Sequence, residues 1–186
     1  SQIARVIAST RVHTPIKFSY SGKVFQSQEL MRGLENERTQ AGIEIIGFPA
    51  QVAYQYAISS AKEALDKLGL KGYKFEFSHA AILRTIFDHL ELTGELANEL
   101  SLHIRDKNIT KLNEFTKRHP SEFDGFIRRL PYLFGESETV LRQAREVVTN
   151  SQLLKAFDQL EELITFIEKD LGIVTVDLAQ LSTVPY

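Results

Sequence analysis

IKFSYSGKVFQSQELMRGLENERTQAGIEIIGF, residues 16–48, holds two stretches of alternating chemistry separated by a polar segment. In the first, Ile16, Phe18 and Tyr20 alternate with Lys17, Ser19 and Ser21, the period of a strand with one face buried. In the second, Ala41, Ile43 and Ile45 fall on one face, and Arg38, Gln40, Gly42 and Glu44 on the other. The stretch is therefore expected to form two antiparallel strands joined by a long polar loop, with one face suited to a core and the other to a polar ligand floor. On that floor a glycine between an amide and a carboxylate leaves a hollow beside two directional hydrogen-bonding groups, which suits a small polar molecule. A solvated sheet face, with Gly42 marking a bulge or bend, is the alternative that the pattern leaves open.

Working outward, YSGKVF (20–25), the loop after it and TQAGIEIIG (39–47) resemble the motif 2 hairpin of the histidyl-tRNA synthetases, which belong to class II. Within that fold they are most similar to its catalytically inactive paralogues, the regulatory subunits of ATP phosphoribosyltransferase. QIARVIAS (2–9) resembles the helix after the family's Leu-Arg-Pro-Asp/Glu-x-Thr motif, and residues 178–186 the approach to its Arg-Gly-x-x-Tyr-Tyr-Thr-Gly motif, so the likeness covers essentially the whole chain. The fold it implies is α+β, a class II aminoacyl-tRNA synthetase-like antiparallel sheet flanked by helices, with a helical insertion. The organisation expected is residues 1–78 as part of the sheet core, 79–148 as the insertion and 149–186 as the return to the core. The chain opens without Met inside an expected helix and stops where the family pattern continues, so a piece of a longer chain is expected.

The departures separate the two relatives. A class II synthetase carries Phe-Arg-x-Glu at the end of the first arm, where the arginine holds the ATP α-phosphate and the amino acid carboxylate and the glutamate supports adenine. Here the positions read Phe25-Gln26-Ser27-Gln28. A neutral amide supplies no positive field for charge developing on phosphate. The aromatic position that stacks on adenine aligns with Arg38, and the catalytic arginine before the Tyr-Tyr pair aligns with Ser182. Gln40 and Glu44, in contrast, match the positions that contact bound histidine, the glutamine toward the α-amino group and the glutamate toward the imidazole. A carboxylate beside an imidazole N–H makes a charge-assisted hydrogen bond and discriminates histidine from apolar side chains of similar size. The resemblance thus implies a histidine site of Gln40, Glu44, Arg38 and Tyr186, with Arg38 placed to take over the lost carboxylate contact, and degenerate ATP-site positions at Gln26, Gln28 and Ser182. It implies no catalytic residue and no cofactor.

Composition agrees with a globular protein. The 186 residues suffice for one good-sized core, or a domain with a smaller helical appendage. A formal charge of −2 and the lack of a Lys/Arg cluster give no electrostatic footprint for nucleic acid. The absence of cysteine rules out disulfides and thiolate zinc sites. No apolar run approaches the roughly 18 residues of a membrane span, and no signal peptide opens the chain, so no membrane association and a cytoplasmic location are the default.

After the hairpin, Phe48-Pro49 is expected to open a helix to about Lys67 whose Ala53, Ala57, Ala61 and Ala64 form a small-residue stripe allowing close approach to a sheet. Gly69 and Gly72 end it, and Tyr73, Phe75 and Phe77 alternate as a further strand. From His79 the pattern is helical: residues 80–92, 95–106, 110–118, 122–130 and 136–148 are amphipathic segments punctuated by turn and breaker residues such as Asn108, Pro120, Pro131 and Gly135. A long helix is expected at 151–171 with Thr149 or Asn150 as cap, and Gln152 is available to close a capping box from Thr149. Its stripe of Leu153, Phe157, Leu160, Ile164, Ile167 and Leu171 points to packing on the sheet. Gly172 stops it before a strand at 173–178, whose Asp177 falls near the site in the family pattern.

His13, His79, His89, His103 and His119 show no metal-ligand spacing, and there is neither a phosphate-cradling glycine loop nor a Gly-x-Ser-x-Gly turn. Two functions follow from the resemblance. One is a non-catalytic regulatory subunit that assembles with the short catalytic subunit of ATP phosphoribosyltransferase, self-associates within the hetero-oligomer and transmits feedback inhibition by histidine. The other is a divergent histidyl-tRNA synthetase or histidine-activating enzyme, opposed by Gln26, Gln28, Arg38 and Ser182.

Overall fold

The computed structural model describes residues 2–10, 12–25, 36–171 and 174–180. Its contacts divide the chain into two units, Ser1–Lys71 and Gly72–Tyr186.

The first unit contains helix α1 (Gln2–Thr10), strands β1 (Ile16–Phe25) and β2 (Glu37–Ile46), and helix α2 (Ala50–Lys67). The strands pair antiparallel over their full length, from Ile16 opposite Ile46 to Phe25 opposite Glu37. Pro49 precedes α2, where its fixed φ is already suited to a helix start, and its carbonyl accepts the Ala53 N–H at 3.0 Å. At the other end Gly69 takes φ +72° and the Leu70 N–H reaches back to the Leu65 carbonyl at 3.1 Å, closing the helix with a left-handed residue.

The second unit holds β3 (Glu76–Phe77), α3 (Ala80–His89), α4 (Gly94–Arg105), α5 (Ile109–Arg118), α6 (Asp124–Arg129) with a 3-10 turn at Leu130–Tyr132, β4 (Phe134–Glu136), α7 (Ser137–Arg145), α8 (Ser151–Leu171) and β5 (Thr175–Asp177). The three short strands form one sheet in the order β3-β5-β4, with β3 parallel and β4 antiparallel to β5. Every described residue that is buried belongs to this unit, whose core gathers Ile82, Ile86, Leu100, Leu112, Phe115, Phe126, Phe157 and Val176.

The helix ends follow local rules. Lys107 adopts φ +48°, the Asn108 N–H returns to the His103 carbonyl at 2.9 Å, and Asn108 Oδ1 then accepts the Lys111 N–H at 3.1 Å. One asparagine thus closes α4 and caps α5.

Three expectations change on contact with the structure. The α8 stripe is a core seam, with Leu153, Phe157, Leu160, Ile164 and Ile167 buried, but it packs principally on α3 and α7 rather than on a sheet. A four-and-three spacing matches the ridges of neighbouring helices, and the short sheet offers too little area to cover it. The strand expected at Tyr73–Phe77 is confined to Glu76–Phe77, although the Phe75 carbonyl still accepts the Thr175 N–H at 3.1 Å. Gly135, read as a breaker, is the middle of β4, where it sits opposite Val176 with φ +128°. Gly172 and Ile173 lie outside the described residues.

A polar floor on the hairpin as candidate ligand site

Residues directly opposite one another in an antiparallel pair project to the same side of the sheet. The register sets Phe18 against Glu44, Tyr20 against Gly42, Gly22 against Gln40 and Val24 against Arg38. The apolar side of β1 therefore shares a face with the polar side of β2. On the reverse face Lys17, Ser19 and Ser21 join Ile45, Ile43 and Ala41. This corrects the sequence reading of one apolar face and one polar face across the hairpin: each strand alternates as expected, but the pairing crosses the two alternations.

Helix α2 covers the reverse face. The Lys17 ammonium stands 3.5 Å from the centre of the Tyr56 ring and 5.6 Å from that of Phe48, two cation–π contacts that fix the helix on that side. The small-residue stripe of α2 does not close onto the strands. A cavity of about 550 Å³ separates Ser19, Ala41 and Ile43 from Ala57, Ala61 and Ala64.

The candidate floor lies on the other face. The hollow expected at Gly42 is filled from within the hairpin: a Cβ placed there would come within 2.6 Å of Tyr20 Cζ and Oη. A glycine facing an aromatic across a strand pair lets the ring lie over bare backbone. In that position Tyr20 Oη accepts a hydrogen bond of 2.9 Å from Gln40 Nε2. Glu44, half-buried, stands beyond the ring on the other side, opposite Phe18, and among the described residues no hydrogen bond or ion pair engages its carboxylate. Gln40 and Glu44 are four positions apart on one strand, so their backbones are about 13 Å apart with the Tyr20 ring between them. Arg38 lies exposed on the same face, one step beyond Gln40.

The structure thus brings Arg38, Gln40 and Glu44 onto one surface. Gln26, Gln28, Ser182 and Tyr186 lie outside the described residues. Asp177 serves the second unit's own structure, with Oδ2 accepting from Lys107 Nζ at 2.8 Å and Oδ1 from the Ala179 N–H at 3.0 Å. Sequence reasoning passed over Tyr20, which it read as an inward-facing aromatic; the signal that could have found it is an aromatic placed to meet a glycine across the hairpin. Chemically the floor offers a carboxylate, a phenol, an amide and a guanidinium at successive points along one face. Three of the histidines have local partners: His79 caps α3, His89 meets Glu122 at 3.1 Å, and His103 meets Glu99 at 3.4 Å. No group of three or more potential metal ligands occurs among the described residues, nor does any helix there have the length and apolarity to cross a membrane.

Comparison with known proteins places this hairpin in context. The sequence model described as histidyl-tRNA synthetase matches residues 1–186. Relatives named ATP phosphoribosyltransferase regulatory subunit, from Streptococcus thermophilus and Streptococcus gordonii, are 57% and 55% identical over the whole chain. The chain spans 57% and 56% of their respective lengths. A solved ATP phosphoribosyltransferase regulatory subunit/histidyl-tRNA synthetase from Bacillus halodurans superposes with a TM-score of 0.78 at 23% identity, covering 96% of this chain and 48% of that one, a likeness of fold.

Proposed function

Since the chain belongs to the histidyl-tRNA synthetase family, and its curated relatives are named for a regulatory role, we propose that it is part of a non-catalytic regulatory subunit of ATP phosphoribosyltransferase. In this reading the full-length protein assembles with the short catalytic subunit in a hetero-oligomer, is needed for that subunit's activity, and transmits inhibition by histidine in the first step of histidine biosynthesis. The observation that carries it is the shared face of Gln40, Tyr20 and Glu44. The floor keeps an amide and an unengaged carboxylate on one face of β2, while the positions that would steady a phosphate read Gln26, Gln28 and Ser182.

Each residue has a role in this scheme. Glu44 accepts from the imidazole, Gln40 holds the α-ammonium, Arg38 replaces the missing contact to the carboxylate, and Tyr186 belongs to the same site by the family pattern. Histidine exerts control because it binds one assembly state better than another. The stretch 79–148 remains assigned as the family's insertion, and a cytoplasmic location goes with the biosynthetic role.

The test mixes the full-length parent protein with a short-form catalytic subunit and follows phosphoribosyl-ATP formation with and without histidine. Activation on mixing, and histidine inhibition weakened by Glu44→Ala, is the expected result. An Arg38→Ala variant inhibited at the same histidine concentration as the parent would remove Arg38 from the site. No effect on the transferase would defeat the proposal, and histidine-dependent ATP–pyrophosphate exchange would then support the second reading, a divergent histidine-activating enzyme.

A further inference from the structure

The Gln40 side chain is not free to present either end of its amide. Its Nε2 donates one N–H to Tyr20 Oη at 2.9 Å, which sets the orientation of the amide and leaves Oε1 without a hydrogen bond among the described residues. An amide that can rotate offers its donor and acceptor ends alternately, whereas one held through one of its two N–H groups keeps its oxygen on a fixed side, and an acceptor is what an ammonium requires. The pin depends on the ring's path. Tyr20 crosses directly over residue 42, where any Cβ would sit 2.6 Å from the ring, so glycine at that position is a condition of the contact. Along β2 the ring also stands between Gln40 and Glu44, which makes it the wall against which a ligand spanning both would lie.

We propose that Tyr20 is a positioning residue for ligand recognition, fixing the Gln40 amide so that its oxygen faces the ligand's α-ammonium, and that Gly42 is required because the Tyr20 ring must pass over it. The inference rests on the histidine reading given above and adds to it the determinant of selectivity for the amino group.

The test uses calorimetry on the full-length protein in complex with its catalytic partner, with two probes: histidine, and imidazolepropionate, the same molecule without the α-ammonium. Tyr20→Phe keeps the ring over Gly42 and removes only the hydroxyl. Loss of one orienting hydrogen bond is expected to weaken histidine about tenfold. Imidazolepropionate is expected to bind Tyr20→Phe as it binds the parent, a split that general damage to the hairpin would not produce. Gly42→Ala, which retains the hydroxyl but lifts the ring that walls the site, is expected to weaken both probes, histidine the more. Equal affinity of parent and Tyr20→Phe for histidine, or equal loss of both probes, overturns the inference and leaves the histidine reading intact. A parent complex that binds no histidine overturns that reading, and the inference with it.

Discussion

Lys107 Nζ lies 2.8 Å from Asp177 Oδ2 and 4.2 Å from the centre of the Phe134 ring, so one side chain from the turn between α4 and α5 secures both β5 and β4. The carboxylate is mostly shielded, at 15% exposure, while the lysine stays 35% exposed. Lys107→Met keeps the stem and leaves Asp177 without its cation. The expected loss is about 1–2 kcal/mol, between the values typical of surface and enclosed pairs. Urea unfolding measures it, and Asp177→Asn in the Lys107→Met background should restore part of the loss. No recovery in the double variant would show that the charge is not the cause.

His79 caps α3 by accepting the Ala81 N–H on Nδ1 at 3.2 Å, a role open only to the unprotonated ring nitrogen. Burial first, and the charge of Arg84 second, depress its pKa below the ordinary histidine value. The unfolded chain then takes up the proton at a higher pH, near 6.5, than the folded one does. The stability due to His79 is present in full above that pH and is lost as pH falls through the folded value. His79→Asn keeps a cap acceptor that does not titrate, and should flatten the stability profile as pH falls below the ordinary histidine range. An unchanged slope would place the pH dependence elsewhere.

Thr116, 1% exposed, donates to the Asn113 carbonyl at 3.1 Å and accepts from Arg128 Nε at 2.8 Å, linking α5 to α6. Thr116→Val preserves the volume and strands the guanidinium N–H, for an expected cost of about 1–3 kcal/mol. Thr116→Ser should keep most of the stability in chemical denaturation. A serine variant as weak as the valine one would assign the effect to the methyl group instead.

Of the two cap candidates for α8, Asn150 is the one used: Oδ1 accepts from the Gln152 and Leu153 N–H groups at 3.0 and 3.2 Å. Asn150→Ala is expected to lower stability by about 1 kcal/mol and Thr149→Ala by less than about 0.5 kcal/mol, read as the shift in unfolding midpoint. The reverse order would reinstate Thr149.

How much of this was legible in the chain varied with the range of the forces involved. Helix α8 was readable to both ends, because its stripe repeats over five turns and its cap is local. Both hairpin strands were readable for the same reason. Strand β4 was not, since three residues carry no period and owe their shape to β5, forty residues on. The site divides in the same way. Gln40 and Glu44 could be placed on one face by counting, but Tyr20 could join them only through the cross-strand register, which a single strand's alternation does not encode. The filled hollow at Gly42 follows from that register, and so lay beyond the pattern too.

Among the described residues, every fully enclosed side chain comes from Ile82 onward, and the hairpin contributes none. For residues 1–186 taken by themselves, heat and denaturant therefore report mainly on the unit from Gly72 onward, and a change to the floor is read by ligand binding rather than by a melting curve.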